Sequence, residues 1–223
     1  MEVIAAKDSV LVADIGSSSL KTALINKRGQ VLAYARLAFL KRFTDFSALE
    51  WFDSLSASIK IIEDKLKEKK IPLEKVRGLC ISGNGPTLVS EKGATLAWNE
   101  AASEKVAIQS LYLPRLLQFK KKFSSTYQET SHIFSGPEFL IYQLTKRALT
   151  ILPEDRFLQA YWTEEEAIEC GLSKNDLEKL PPFAKPAEQA GTITLETAEK
   201  LNSPLICKDT PLFCGAPDFI SAL

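Results

Sequence analysis

The sequence predicts an α/β domain: a mixed sheet that opens with an antiparallel three-strand meander and is flanked by helices. Three observations predict it. Three short apolar or β-branched stretches follow one another near the N-terminus, separated by tight polar turns. A stretch with apolar residues at three- and four-residue steps comes next. A further apolar run then ends in a glycine-rich loop.

Val10-Leu11-Val12-Ala13-Asp14-Ile15 is apolar except for Asp14 and reads as a buried strand. Gly16-Ser17-Ser18-Ser19 turns the chain, and Lys21 to Asn26 reads as the second strand. Lys27-Arg28-Gly29-Gln30 turns it again into a third, Val31 to Leu37. Leu49, Phe52, Leu55, Ile59, Ile62 and Leu66 then mark one face of a helix, which ends in the charged run Lys65 to Lys70 and is closed by Pro72. Val76 to Ile81 reads as a fourth strand, ended by Ser82-Gly83-Asn84-Gly85-Pro86. Three strands, a helix and a strand are the opening order of the ribonuclease-H-like fold.

The second half is mostly helical. Residues 102–122 read as one helix, or as two broken at Pro114. Ser135 and Glu138 have capping-box spacing before the apolar Phe139-Leu140-Ile141-Tyr142, and Thr163 and Glu166 repeat it. Ser173-Lys174-Asn175-Asp176 starts a short helix stopped by Pro181-Pro182, and Thr194 to Leu201 is another. Pro211 to Cys214 reads as a last strand, running into Gly215-Ala216-Pro217-Asp218. There is no internal repeat and no low-complexity linker.

Composition narrows the function classes. The 223 residues are 45% hydrophobic and 25% charged, ordinary for a soluble globular protein. Lys plus Arg and Asp plus Glu both number 28. This balance lacks the basic excess of a nucleic-acid-binding chain. Lys120-Lys121-Lys122, with Arg115 before it, reads as a solvated helix face. Cys80, Cys170, Cys207 and Cys214 form no CxxC pair, and His132 is the only histidine, which argues against zinc and against a disulfide framework. The thiols are expected to be reduced. Met1-Glu2-Val3-Ile4 has no basic leader segment, and the apolar runs fall short of the ~20 residues that span a bilayer. The expectation is a cytoplasmic protein with no membrane partner.

Three segments carry residue types suited to chemistry. In Asp14-Ile15-Gly16-Ser17-Ser18-Ser19-Leu20-Lys21 a carboxylate ends a buried strand and a Gly-hydroxyl turn follows. Backbone N–H groups and hydroxyls there can converge on a phosphate, with Lys21 as a point charge and Asp14 holding magnesium directly or through water. A Ser-stabilised β-turn explains the same residues. In Cys214-Gly215-Ala216-Pro217-Asp218 a carboxylate again follows an apolar strand and a glycine; a plain helix N-cap explains it equally. Ile81-Ser82-Gly83-Asn84-Gly85-Pro86 is a strand end opening into a glycine loop, the place where α/β sheets hold ligands, or an ordinary turn.

Taken in order, these segments resemble the FGGY carbohydrate kinases, the family of glycerol kinase, xylulokinase, ribulokinase and gluconokinase. Residues 14–21 resemble the family's first phosphate motif, and residues 81–85 its serine-glycine-glutamine sugar loop. Trp98-Asn99-Glu100 resembles the tryptophan-x-aspartate step after that loop. Leu116 to Thr145 resembles its helix pair; Gly191-Thr192-Ile193-Thr194 and Gly215-Ala216-Pro217-Asp218 resemble its closing segments. The resemblance implies ATP-dependent phosphorylation of a sugar or polyol, with ATP and Mg2+ as cofactors. It implies Asp218 as the catalytic base and Asp14 as the carboxylate that positions magnesium. Gly16, Ser17, Ser18, Ser19 and Lys21 would face the ATP phosphates, and Gly83, Asn84, Trp98 and Glu100 would lie with Asp218 near the sugar.

Residues 1–223 would then be the N-terminal, sugar-binding domain. The ATP would be shared with a nucleotide-binding second domain that these residues do not include, and the chain alone is expected to be inactive. A homodimer is an assembly the sequence leaves open. Gly85-Pro86-Thr87 stand where many members carry methionine-histidine-glycine, Asn84 stands for the glutamine, Glu100 for the aspartate, and Ala102 for a following arginine. The identity of the sugar stays open on these departures. So does the alternative of a non-catalytic sugar-binding or regulatory module. An actin-like filament protein would share the phosphate hairpin but not the sugar loop or residues 215–218.

Overall fold

The computed structural model describes residues 6–40, 47–83, 85–101 and 109–217. Asn84, Ala102 and Asp218 lie outside them. The chain opens with β1 (Ser9–Ile15), β2 (Ser19–Asn26) and β3 (Val31–Ala38), joined by the two expected turns into an antiparallel meander. Helix α1 (Glu50–Glu68) crosses back to β4 (Gly78–Gly83), which lies parallel to β1. The short strands β5 (Leu88–Ser90) and β6 (Thr95–Leu96) follow, then α2 (Leu113–Lys122), α3 (Ser124–Glu129), β7 (Ile133–Phe134) and α4 (Gly136–Thr145). After these come β8 (Thr150–Ile151), α5 (Leu158–Tyr161), α6 (Glu164–Glu169), α7 (Lys174–Leu177), β9 (Phe183–Ala184), β10 (Gln189–Thr192), α8 (Leu195–Leu201) and β11 (Pro211–Pro217).

The main sheet has six strands in the order β10-β11-β4-β1-β2-β3. Its central strands β11, β4 and β1 are parallel, and antiparallel strands flank them, so the sheet is mixed as expected. Alternation explains its faces. Leu11, Ala13, Ile15, Leu20, Leu24, Leu79, Ile81, Leu212 and Cys214 are all buried in one core with α1 and α4. The helix supplies Trp51, Leu55, Ile59, Ile62 and Leu66, at steps of three and four. Trp51 replaces Leu49 at the head of the expected stripe; Leu49 is the residue before the helix and is half exposed. A second, smaller core gathers Leu88, Leu96, Tyr112, Leu116, Phe119, Tyr127 and Tyr161 around β5, α2 and α5.

Two expected features take a different form. Pro114 stands in the first turn of α2, where its missing N–H costs nothing, so it starts that helix instead of breaking one. Residues 102–108 of the expected helix lie outside the described residues. Ser135 does precede α4, but its side chain makes no cap bond. Glu138, the expected other half of the box, is fully buried and accepts the backbone N–H of Ile151 at 2.8 Å. The backbone of β8 thus engages one oxygen of the carboxylate that spacing alone assigns to the cap. Ser173 and Asp176 do form a reciprocal capping box, and Thr163 and Thr194 cap α6 and α8.

Cationic side chains reach carbonyls on both edges of the sheet. Lys65 and Lys69, at the end of α1, donate to the backbone oxygens of Tyr34 and Leu32 on β3, each at 2.6 Å. On the other edge Arg147 donates to the carbonyl of Gln189 on β10 at 2.8 Å.

Gly83 ends β4 against β1. A Cβ there would meet Ile15 Cβ at 2.6 Å and Ile15 O at 2.7 Å, a clash with backbone that rotamer changes cannot relieve. Gly83→Ala is therefore expected to cost about 2 kcal/mol, as overpacking does, read as a lowered urea midpoint at unchanged slope.

Candidate functional site

The parallel strands β1, β4 and β11 end side by side. Ile15, Gly83 and Pro217 are register partners across the three, so the β1–β2 turn, the glycine loop and the 215–218 segment leave the sheet at one edge. Open α/β sheets hold ligands at this edge, outside the carboxyl ends of the strands. Of the expected site residues, Asn84 and Asp218 lie outside the described residues; Gly83, Gly85 and Pro217 bracket them.

The first turn is closed by the N–H of Gly16 donating to the Ser19 carbonyl at 3.0 Å. A Cβ on Gly16 would stand 3.1 Å from that same oxygen, so glycine is the residue that fits the closure. Ser17 and Ser18 are exposed, while Ser19 is buried and its Oγ accepts Arg36 Nε at 3.1 Å. Asp14 and Lys21 face each other across β1 and β2 and pair at 2.9 Å. Both are about two-fifths exposed, so the pair adds little stability, and both groups can turn to a ligand.

Arg36 is the next residue in the row, opposite Lys21 on β3. The sequence reading missed it. The signal that could have found it is the meander's cross-strand pairing, which sets a basic residue of the third strand beside Lys21. Asp14, Lys21 and Arg36 form a carboxylate with two cations beside a glycine-serine turn. That arrangement can receive a phosphate, and a lone accessible carboxylate suits Mg2+, which keeps most of its water and takes its other ligands from phosphate. Among the described residues no three His, Cys, Asp or Glu side chains converge on a common metal position.

The sugar-loop side is built from β4, β5 and the segment after β6. Trp98 donates its backbone N–H to Oγ1 of the buried Thr87 at 3.2 Å, which ties it to the chain directly after Pro86. Its side chain is 47% exposed, a large apolar surface left open beside the loop. Glu100 is committed elsewhere: one oxygen accepts the N–H of Ala97 at 3.2 Å and the other pairs with Lys122 at 2.5 Å. Arg115 is buried and donates to the Ala97 carbonyl. Glu100 and Arg115 thus hold the turn that presents Trp98. An open cleft of about 720 Å³ lies away from this edge, between α3 and α7, where Lys120, Asp176 and Tyr127 already satisfy one another.

No family model and no curated protein matches the sequence. Solved structures do match the fold. Xylulose kinase from Rhodospirillum rubrum superposes with a TM-score of 0.76 over 96% of this chain at 15% identity. Gluconate kinase from Lactobacillus acidophilus gives 0.73 over 94% at 18%, and Plasmodium falciparum glycerol kinase with ADP gives 0.73 over 96% at 14%. The chain spans about half the length of each, between 48% and 50%. At these identities the likeness is one of fold: the chain has the ribonuclease-H-like architecture of the N-terminal half of the carbohydrate kinases.

Proposed function

We infer that this chain is the sugar-binding half of an ATP-dependent sugar or polyol kinase. The observation that supports the reading is the alignment of Ile15, Gly83 and Pro217 at one sheet edge, which brings the turn after β1 beside the end of β4 and the residue before Asp218. In this reading Asp218 deprotonates the attacking hydroxyl, Asn84 and Trp98 hold the sugar, and Asp14 positions the Mg2+ that accompanies ATP. Lys21 and the hairpin N–H groups meet the phosphates. Phosphoryl transfer asks the protein mainly to position groups and stabilise charge, and these residues are of the types that do so. Glu100 acts in it by bracing the Trp98 turn.

The test is a titration of the chain with glycerol, xylulose, gluconate and related pentoses, hexoses and polyols, followed by Trp fluorescence and calorimetry. One of them is expected to bind, and Trp98→Ala to weaken it at least tenfold. A panel without any binder would overturn the reading.

Binding of ATP to these residues alone is expected to be weak. One hairpin contacts phosphates and leaves the adenosine in water, so the dissociation constant should be on the order of millimolar or poorer. Lys21→Ala should weaken it further, and micromolar affinity by calorimetry would contradict the shared-nucleotide arrangement.

A further inference from the structure

Glu138 is fully buried in the first turn of α4. Its Oε1 accepts the Ile151 N–H at 2.8 Å, and its Oε2 has no hydrogen-bond partner. The hydroxyl of Tyr161, on the fully buried α5 side chain, also has none. Tyr112 stacks on Tyr161 with centroids 4.7 Å apart and donates its hydroxyl to Ser135 Oγ at 3.2 Å. Directly above them sits Gly85 of the glycine loop. A Cβ there would stand 3.2 Å from Ser135 Oγ and 3.7 Å from the Tyr112 hydroxyl. A sealed group of two tyrosines, a serine and a carboxyl group therefore forms the floor of the candidate sugar loop.

An ionised carboxylate in such a place is costly, because it accepts only and part of its capacity goes unused. As a neutral acid Glu138 has a proton to donate, and a tyrosine hydroxyl can accept it as well as donate. Ionised, it instead draws hydroxyl protons toward itself, that of Ser135 among them. The proton on Glu138 thus decides how the hydroxyls under Gly85 are arranged.

We propose that Glu138 is a positioning residue for Gly85 in the loop after β4, acting through Ser135 and Tyr112. The loop's role in holding a sugar rests on the reading above; the coupling itself does not. Burial pushes the Glu138 carboxyl up to about 7, against the pull of the backbone N–H groups and Ser135. The other groups facing the cluster stay neutral through this range. Burial drives Tyr112 and Tyr161 far above it and pushes Cys214 up to about 12, and Cys80, beside Cys214, is raised too. Glu188 and Arg147 also face Cys214, the first raising its thiol and the second lowering it.

Nuclear magnetic resonance of the 15N-labelled chain between pH 5 and 9 tests it. The Ile151 amide, bonded to Oε1, reports the carboxyl's own charge; the Gly85 amide reports the loop. Both are expected to shift with one midpoint near 7 in the wild type. Glu138→Gln should flatten both. Ser135→Ala should leave Ile151 titrating while shrinking the Gly85 response several-fold, and it serves alone if Glu138→Gln does not fold. A flat Gly85 beside a titrating Ile151 in the wild type overturns the proposal. So does a flat Ile151, or an undiminished Gly85 response in Ser135→Ala. No sugar enters the measurement, so a failed search for a sugar counts against the reading of the site and not against the coupling.

Discussion

Asp218→Asn in the full-length protein is expected to lower phosphoryl transfer by about 10²- to 10⁴-fold, the usual cost of removing a general base. The fold should persist, because the amide is isosteric and asparagine serves as an N-cap as well as aspartate does. Sugar affinity should stay within a few-fold, because the amide still meets the hydroxyl. An Asp218 that only caps a helix gives the opposite pattern. Asp218→Ala would then lower stability by ~1 kcal/mol, and Asp218→Asn would change little. Thermal midpoint and turnover measured on both variants separate the two. Unchanged turnover in Asp218→Asn would remove the base from the mechanism and leave the kinase reading on the hairpin and the sugar loop.

The second large effect is a pH dependence of stability. Burial raises Glu138 from 4.5 in a free chain to about 7 when folded, so between those values the native state binds the extra proton. Its contribution is fully present below pH 4.5 and is lost as pH rises to about 7. The loss is on the order of 3 kcal/mol, or roughly 6–12 °C in thermal midpoint for a chain of this size. Glu138→Gln carries no charge at any pH and should remove this slope, leaving the variant more resistant to urea than the wild type at pH 8 when each is compared with itself at pH 5. Parallel pH profiles for the two proteins would show that Glu138 is ionised in the folded state throughout.

The meander was legible because each strand is bounded by residues that turn the chain, and α1 because its apolar steps are regular. What was not legible depends on contacts between distant segments. The expected cap at Ser135 failed because the spacing to Glu138 says nothing of Ile151, thirteen residues on, whose N–H claims the carboxylate. Arg36 was within reach of the sequence: the Lys27–Gln30 turn pairs Asn26 with Val31, and the same count sets Arg36 opposite Lys21, the register the strands take beyond the irregularity at Leu24 and Ile25. The three strand ends that the sequence singled out do lie side by side in the sheet. Glu100 looked like a sugar ligand because it follows Trp98 at the family's spacing; its ties to Ala97 and Lys122 belong to a turn and a helix that spacing cannot bring together.

The cations that close the two sheet edges bear on how the molecule behaves in a crowd. A bare edge strand is a template on which a second chain, or a growing fibril, can lay down its own backbone. Lys65, Lys69 and Arg147 occupy carbonyls on these edges, of Tyr34, Leu32 and Gln189, and an incoming strand must displace charged groups to reach them. Copies of this chain that do associate are therefore steered toward side-chain interfaces and away from a continuous intermolecular sheet. Neutralising Lys65 and Lys69 together would leave the β3 edge as the surface from which aggregation starts.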